Sequence, residues 1–255
     1  ETMRFFKTNE GLEIHHDGDL PARSGLGSSS SFTVGLSHAL LALQGKIADP
    51  KTLADIAIEI EQKQIGESCG SQDQVAAAYG GFNKILFHKN KEIEVKPIVI
   101  PPRNLNDLQK SLCLFFTGVS RHADQIEQDK LKSLSQNATV LFKIRDAVEE
   151  AEALLTSQSF AIHRFGELLH QSWQEKQKLS SKVATPLVDS VYAKALSNGA
   201  HGGKVLGAGG GGFILFCVEP WYREKLIDAM YPLIHVPFKF DPQGSRVALY
   251  SPNLL

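Results

Sequence analysis

Residues 21–32 read PARSGLGSSSSF and run directly into an apolar-periodic segment, FTVGLSHALLAL, that ends at Leu43. This junction constrains the chain more than any other stretch. Gly25 and Gly27 permit positive-φ backbone and a close approach to a ligand. The serines leave N–H groups and hydroxyls at a helix N-terminus, where orphan donors and the positive end of the helix dipole favour an anion such as phosphate. A Gly/Ser linker is the plain alternative, but linkers do not usually open a long apolar helix. The serine hydroxyls also suit a Mg²⁺ coordination position. No Lys follows Gly27 as a Walker A loop requires, and no GxGxxG follows a strand, so neither that motif nor a Rossmann site is expected. If nucleotide binds here, backbone N–H groups and a metal must do most of the work.

Composition acts by exclusion. The chain has 255 residues, enough for one large domain or two ordinary ones. Its 27 Lys and Arg against 28 Asp and Glu leave a formal net charge of −1. Neither nucleic acid nor an anionic membrane is attracted globally, and any anion handling must be local. There is no basic stripe or RNA-binding signature. No apolar run approaches the roughly 18 residues of a membrane span. Glu1 onward shows no signal-peptide pattern, and a cytoplasmic location is expected. Cys69, Cys113 and Cys217 are odd in number and widely separated, which favours reduced thiols over a disulfide framework or zinc site.

The patterning predicts an α+β chain in two lobes with a cleft between them. Short strands are expected at 4–7 and 12–16, around a turn at Asn9, Glu10 and Gly11. After the serine-loop helix, Asp49-Pro50 opens a second helix in which Leu53, Ile56, Ala57 and Ile60 follow helical spacing. A short helix in SQDQVAAAYGG is closed by Gly80 and Gly81. Strands are expected at 83–88 and 92–100, then a linker at Pro101-Pro102 running to Asp107. Beyond it come a buried strand in 111–118 and helices at about 122–135, 137–156, 160–178 and 186–198. A strand–glycine loop–strand unit fills 203–218, followed by a helix at 220–231 and strands near 235–240 and 246–250. The domain division expected is 1–107 and 108–255.

Glu61 and Asp73 stand twelve residues apart in EQKQIGESCGSQDQ. Near a phosphate loop, one carboxylate could bind Mg²⁺ with a serine hydroxyl while the other orients or deprotonates an attacking hydroxyl. A pair of solvated surface acids is the alternative, and spacing does not exclude Glu59 or Glu67. The glycine run LGAGGGG (206–212) implies a tight turn or a close backbone approach. Arg121 and His122 close a strand where substrate contact competes with a surface role. His15 and His16 are expected to face solvent, and His163 and His170 to pack or cap rather than ligate. Trp173 reads as core; Lys182 and Lys204 could touch phosphate, but ordinary surface lysines are far commoner.

PARSGLGSSSS, EQKQIGESCGSQDQ and KVLGAGGGGFILF, in this order, resemble the GHMP small-molecule kinases. The GSQDQVAAAYGGFN stretch is especially similar to the GxQDQ…GGF signature of their D-glycero-D-manno-heptose 7-phosphate kinase branch, and galactokinases share a looser form. FFTGVSRHA resembles the start of the second lobe in these sugar kinases. The resemblance implies a first lobe like ribosomal protein S5 domain 2 and a ferredoxin-like second lobe. It implies that Gly25, Leu26, Gly27, Ser28, Ser29 and Ser30 hold the ATP phosphates, with Ser29 and Glu61 on Mg²⁺. It makes Asp73 the catalytic aspartate and has Gly209, Gly210, Gly211 and Gly212 support a loop that closes the cleft; Gln72, Arg121 and His122 are the further candidates for substrate contact.

Members of this family begin with a further motif some tens of residues upstream of the serine loop. Only twenty residues precede Pro21 here, and none resembles that motif, so a first lobe lacking its first strands is expected. The reading is an ATP- and Mg²⁺-dependent kinase acting on the anomeric hydroxyl of a heptose 7-phosphate. The alternatives are a non-catalytic sugar- and ATP-binding regulator, or another enzyme of the family: galactokinase, mevalonate-pathway kinase or decarboxylase. Subunit number is left open.

Overall fold

A computed structural model describes residues 1–9, 11–21, 24–118 and 137–251. They form two compact units, residues 1–81 with the segment from Asp241 onward, and residues 82–240.

The first unit is helical in its described residues: α1 (Thr2–Phe5), α2 (Ser28–Leu43), α3 (Pro50–Glu59) and α4 (Gln72–Tyr79). Val34, Ser37 and Leu41 recur at three- and four-residue intervals on α2, as do Leu53 and Ala57 on α3 and Val75 and Ala78 on α4. All are buried, and the three helices pack on one another through these stripes. The start of α3 follows from its sequence: Asp49 Oδ1 accepts from the Thr52 N–H at 2.7 Å, and Pro50 sits in the first turn, where its missing N–H costs nothing. A π-helical turn, Ile60–Ile65, extends α3 and stops at Gly66, whose φ is 79°. Residues 241–245 dock on the end of α4, with Gly81 N–H donating to Asp241 O at 2.8 Å and Ser245 N–H to Ala77 O at 3.0 Å. A Cβ at Gly244 would stand 2.0 Å from Ala78 O, so this approach needs glycine.

The second unit opens with a hairpin, β1 (Asn83–Phe87) and β2 (Ile93–Pro97), paired Ile85 to Val95. Then come α5 (Pro102–Ser111), β3 (Leu112–Phe116), α6 (Ala138–Thr156), α7 (Ile162–Gln177) and α8 (Pro186–Ser197). It closes with β4 (Ala200–Val205), β5 (Phe213–Val218), α9 (Arg223–Ala229) and β6 (Ile234–Val236). The four later strands make an antiparallel sheet in the order β4-β5-β3-β6. That order, with helices crossing from β3 to β4 and from β5 to β6, is the split βαβ of ferredoxin-like folds. Strand alternation gives the sheet two buried faces. Cys113, Phe115, Ile214 and Phe216 meet Trp173, Val188 and Tyr192 on one, while Leu112 and Cys217 meet Leu108, Leu155 and Ile162 on the other. Helix α7 lies backbone to backbone on β4, since a Cβ at Gly202 would come within 2.0 Å of Gly166 O.

His235 on β6 packs against Phe115 with the two rings tilted by 60°, and its Nε2 lies 3.3 Å from Arg223 Nη2. Burial holds its imidazole below the ordinary 6.5, and the Arg223 cation lowers it further against a smaller opposing pull from Glu224. The unfolded chain therefore binds this proton first. The contribution is intact above pH 6.5 and is lost as the pH falls from 6.5 through the folded value. The thermal midpoint of His235→Gln should fall less steeply with acidification than that of the parent. Parallel curves would remove His235 from the acid response.

Several sequence expectations are corrected. Residues 4–7 belong to a single helical turn and its end, and 12–16 and 246–250 form no strand. Their apolar alternation has no neighbouring ladder to satisfy the backbone groups among the described residues. The strand expected at 235–240 is confined to Ile234–Val236. The linker expected at 101–107 is the first part of α5, tied down by Asn104 Nδ2 donating to Leu155 O at 2.9 Å and Ser157 O at 2.7 Å. The compact units divide at residue 81 and again at 241, whereas the division expected from the linker is at 107. The helix expected at 122–135 lies outside the described residues.

Candidate active site

The serine loop reaches α2 through two left-handed glycines, Gly25 at φ 85° and Gly27 at φ 68°. Gly27 is the N-cap and brings no side-chain oxygen to the first turn. The first intrahelical bond is Ser31 N–H to Gly27 O at 2.9 Å, so the N–H groups of Ser28, Ser29 and Ser30 have no acceptor within the helix. Leu26 and Ser28 are half-buried, Ser29 is exposed and Ser30 is buried.

Asp73 lies in the first turn of α4, exposed, where the helix dipole favours its charge. It stands against the serine loop. A Cβ on Gly27 would meet Asp73 Cβ and Cγ at 3.2 Å and Oδ2 at 3.3 Å, so only a hydrogen fits between them without displacement. Gln72 is exposed beside it, with Nε2 3.5 Å from Asp73 Oδ1.

Glu61 is 1% exposed, unlike a surface acid. The π-helical turn lets consecutive Ile60 and Glu61 both face inward, a use of such turns common at functional sites. Its Oε2 accepts from Ser30 Oγ at 2.9 Å and from Gln74 Nε2, while its Oε1 is buried with no hydrogen-bond partner among the described residues. The Cys69 sulfur lies 4.0 Å from Oε2, and ligand atoms of Glu61, Glu67 and Cys69 all fall within 4.8 Å of one another. Burial first, and then the Glu61 charge, push the Cys69 thiol up to about 11, so it is protonated at neutral pH. All three cysteines are free. A cleft of about 440 Å³ between α2, α4 and residues 241–245 is lined by neither Asp73 nor Glu61.

In the second unit the glycine run joins β4 to β5 and is pinned from three sides. Gly210 N–H donates to Val183 O at 2.8 Å, and Thr117 donates through both N–H and Oγ1 to Gly212 O at 2.9 Å. Lys176 Nζ donates to Val205 O at 3.1 Å and Gly207 O at 2.6 Å. Gly209, Gly210, Gly211 and Gly212 are buried and all at positive φ, so the run is a constrained turn that other side chains could not follow.

The first unit thus brings together the serine loop, Asp73 and Glu61. Arg121 and His122 lie outside the described residues. His170 hydrogen-bonds the Tyr192 hydroxyl at 2.9 Å, and Trp173 is core. Sequence reasoning missed that Ser30, one residue past Ser29, is the serine that touches Glu61. It also missed Gln74, which is fully buried; the available signal was its position four residues before Ala78 on the apolar face of α4. No spacing signal pointed to Lys176.

Models of the GHMP kinases N terminal domain and of the GHMP kinases C terminal domain match residues 1–81 and 151–232. The chain is 34% identical to D-glycero-alpha-D-manno-heptose 7-phosphate kinase of Campylobacter jejuni, over 89% of this chain and 67% of that protein. It is 26% identical to a Pyrococcus furiosus galactokinase, over 86% of this chain and 68% of that one. A crystal structure described as a D-glycero-D-manno-heptose 1-phosphate kinase from Bacteroides thetaiotaomicron superposes with a TM-score of 0.73 at 28% identity, covering 98% of this chain and 72% of the other. The regulator and decarboxylase readings are not favoured by these relatives. By its two matched domains, its fold and its relatives, the chain belongs to the GHMP kinase family and is of the sugar-kinase type.

Proposed function

We propose that this chain transfers the γ-phosphoryl group of ATP to the anomeric hydroxyl of D-glycero-D-manno-heptose 7-phosphate, with Asp73 steering the attacking oxygen. The observation that carries this reading is the seat of Asp73 against Gly27. A hydroxyl hydrogen-bonded to that carboxylate stands at the mouth of the loop whose N–H groups suit phosphate oxygens. Asp73 accepts or orients the hydroxyl proton, and the loop from Gly25 to Ser30 holds the phosphates, so catalysis rests on positioning and charge stabilisation.

A divalent cation fits the first unit. Glu61 Oε1 is an orphaned buried acceptor, and the serine hydroxyls and carboxylate are the hard oxygen donors that Mg²⁺ takes. Glu61 and Ser29 would hold it, with Ser30 fixing Glu61 from behind. When bound, Mg²⁺ neutralises phosphate charge.

The heptose assignment rests on GSQDQVAAAYGGFN and on the Campylobacter relative. The two heptose kinases it resembles are named for different phosphates, position 7 in one and position 1 in the other. The test is ADP release against a sugar and sugar-phosphate panel, on this chain and on a form extended to the length of its relatives, with an assay for the reducing end. Turnover on the 7-phosphate with loss of the reducing end is expected, because phosphorylation at the anomeric oxygen removes it. Turnover confined to the 1-phosphate or to unphosphorylated galactose would overturn the substrate. ATP binding without turnover on any sugar would favour a regulator.

A further inference from the structure

The surroundings of Glu61 are lopsided. Its Oε2 collects donors from two helices, Ser30 Oγ of α2 at 2.9 Å and the amide of Gln74 on α4, with the Cys69 thiol at 4.0 Å, while Oε1 has none among the described residues. Gln74 is itself fully buried, and its Nε2 also donates to Cys69 Sγ at 3.6 Å. Its own Oε1 accepts nothing among the described residues. The amide is therefore used for its N–H groups alone, and the Glu61 carboxylate, an acceptor only, requires that orientation, while the Cys69 thiol accommodates it. A residue needed only to fill this space would be an aliphatic one, since an unpaired buried amide oxygen is destabilising.

We propose that Gln74 is a positioning residue: it fixes the Glu61 carboxylate with Oε2 saturated by the protein and Oε1 open to a divalent cation. The inference rests on the reading of Glu61 as a metal ligand. It deepens that reading by naming the group that orients the ligand, as outer hydrogen bonds commonly do in metal sites. Gln74 follows Asp73 directly, so one turn of α4 aims Asp73 at the serine loop and Gln74 at Glu61. The two carboxylates are held in register by a single rigid element.

The test is a Mn²⁺ titration followed by electron paramagnetic resonance, with ADP present, on the parent, Gln74→Met and Glu61→Gln. Methionine keeps the volume and removes the donors. Gln74→Met should weaken Mn²⁺ binding by about 10–100-fold. In the active form it should raise the half-saturating Mg²⁺ concentration in parallel, with the sugar KM within about twofold of the parent. If Gln74→Met only lowers the thermal midpoint, and Mn²⁺ affinity falls in Glu61→Gln alone, Gln74 is a core residue and the proposal fails. Unchanged affinity in both variants instead overturns the role of Glu61. Should Gln74→Met not fold, Gln74→Leu removes the same donors and carries the same test. An unchanged Mn²⁺ affinity there overturns the proposal.

Discussion

Asp73→Asn is expected to lower turnover by about 10²–10⁴-fold while nucleotide binding persists. The amide has nearly the shape of the carboxylate, so the packing against Gly27 survives. What it loses is the charge and the capacity to accept a hydroxyl proton as phosphoryl transfer proceeds. In the proposed function nucleotide is held by the serine loop, which the substitution leaves in place. Single-turnover phosphoryl transfer and ADP calorimetry separate the two effects. Turnover within about threefold of the parent would remove Asp73 from the chemistry, because general-base effects are far larger.

Gly27→Ala should be nearly as damaging, at about 10²-fold in turnover. Two costs coincide at this position. A φ of 68° is left-handed, which disfavours a residue with a Cβ by about 1–2 kcal/mol. The new methyl would also press on Asp73 Cβ and Cγ at 3.2 Å, close to the backbone of α4, where little can give. The expected result is a folded protein whose Asp73 and serine loop no longer share one geometry. Combining the substitutions gives the sharper measurement: if Gly27→Ala acts by displacing Asp73, it should add little in an Asp73→Asn background. Additive losses would show that the loop itself, and not its register with Asp73, is what alanine disturbs.

Much of this arrangement is legible in the chain. The helix after the serine loop, the Asp49-Pro50 start of α3, the short helix with Asp73 and the buried strands around 112–116 and 213–218 all follow from local patterns. Capping, period and turn chemistry act over a few residues, and the chain states them directly. The failures have a common cause. The segments 12–16 and 246–250 alternate as strands do, but a strand exists only where another edge takes up its backbone groups, and periodicity carries no information about that edge. Pro101-Pro102 looks like a break, yet proline opens helices as readily as it ends them.

Residue types, motif order and the positive-φ glycines were thus determined by the sequence alone, since each depends on local backbone chemistry. The family motif marked Glu61 and Asp73, but their surroundings were decided by tertiary structure. Glu61 became a buried carboxylate with one saturated and one open oxygen because Ser30, 31 positions before it, and Gln74, 13 after it, converge on the same atom. Asp73 came to face the serine loop because α2 and α4 pack closely enough that a Cβ at position 27 would press on its side chain. Spacing along a chain encodes which face of a helix a side chain occupies, whereas the choice of acceptor atom depends on where the neighbouring helix settles when both bury their apolar stripes.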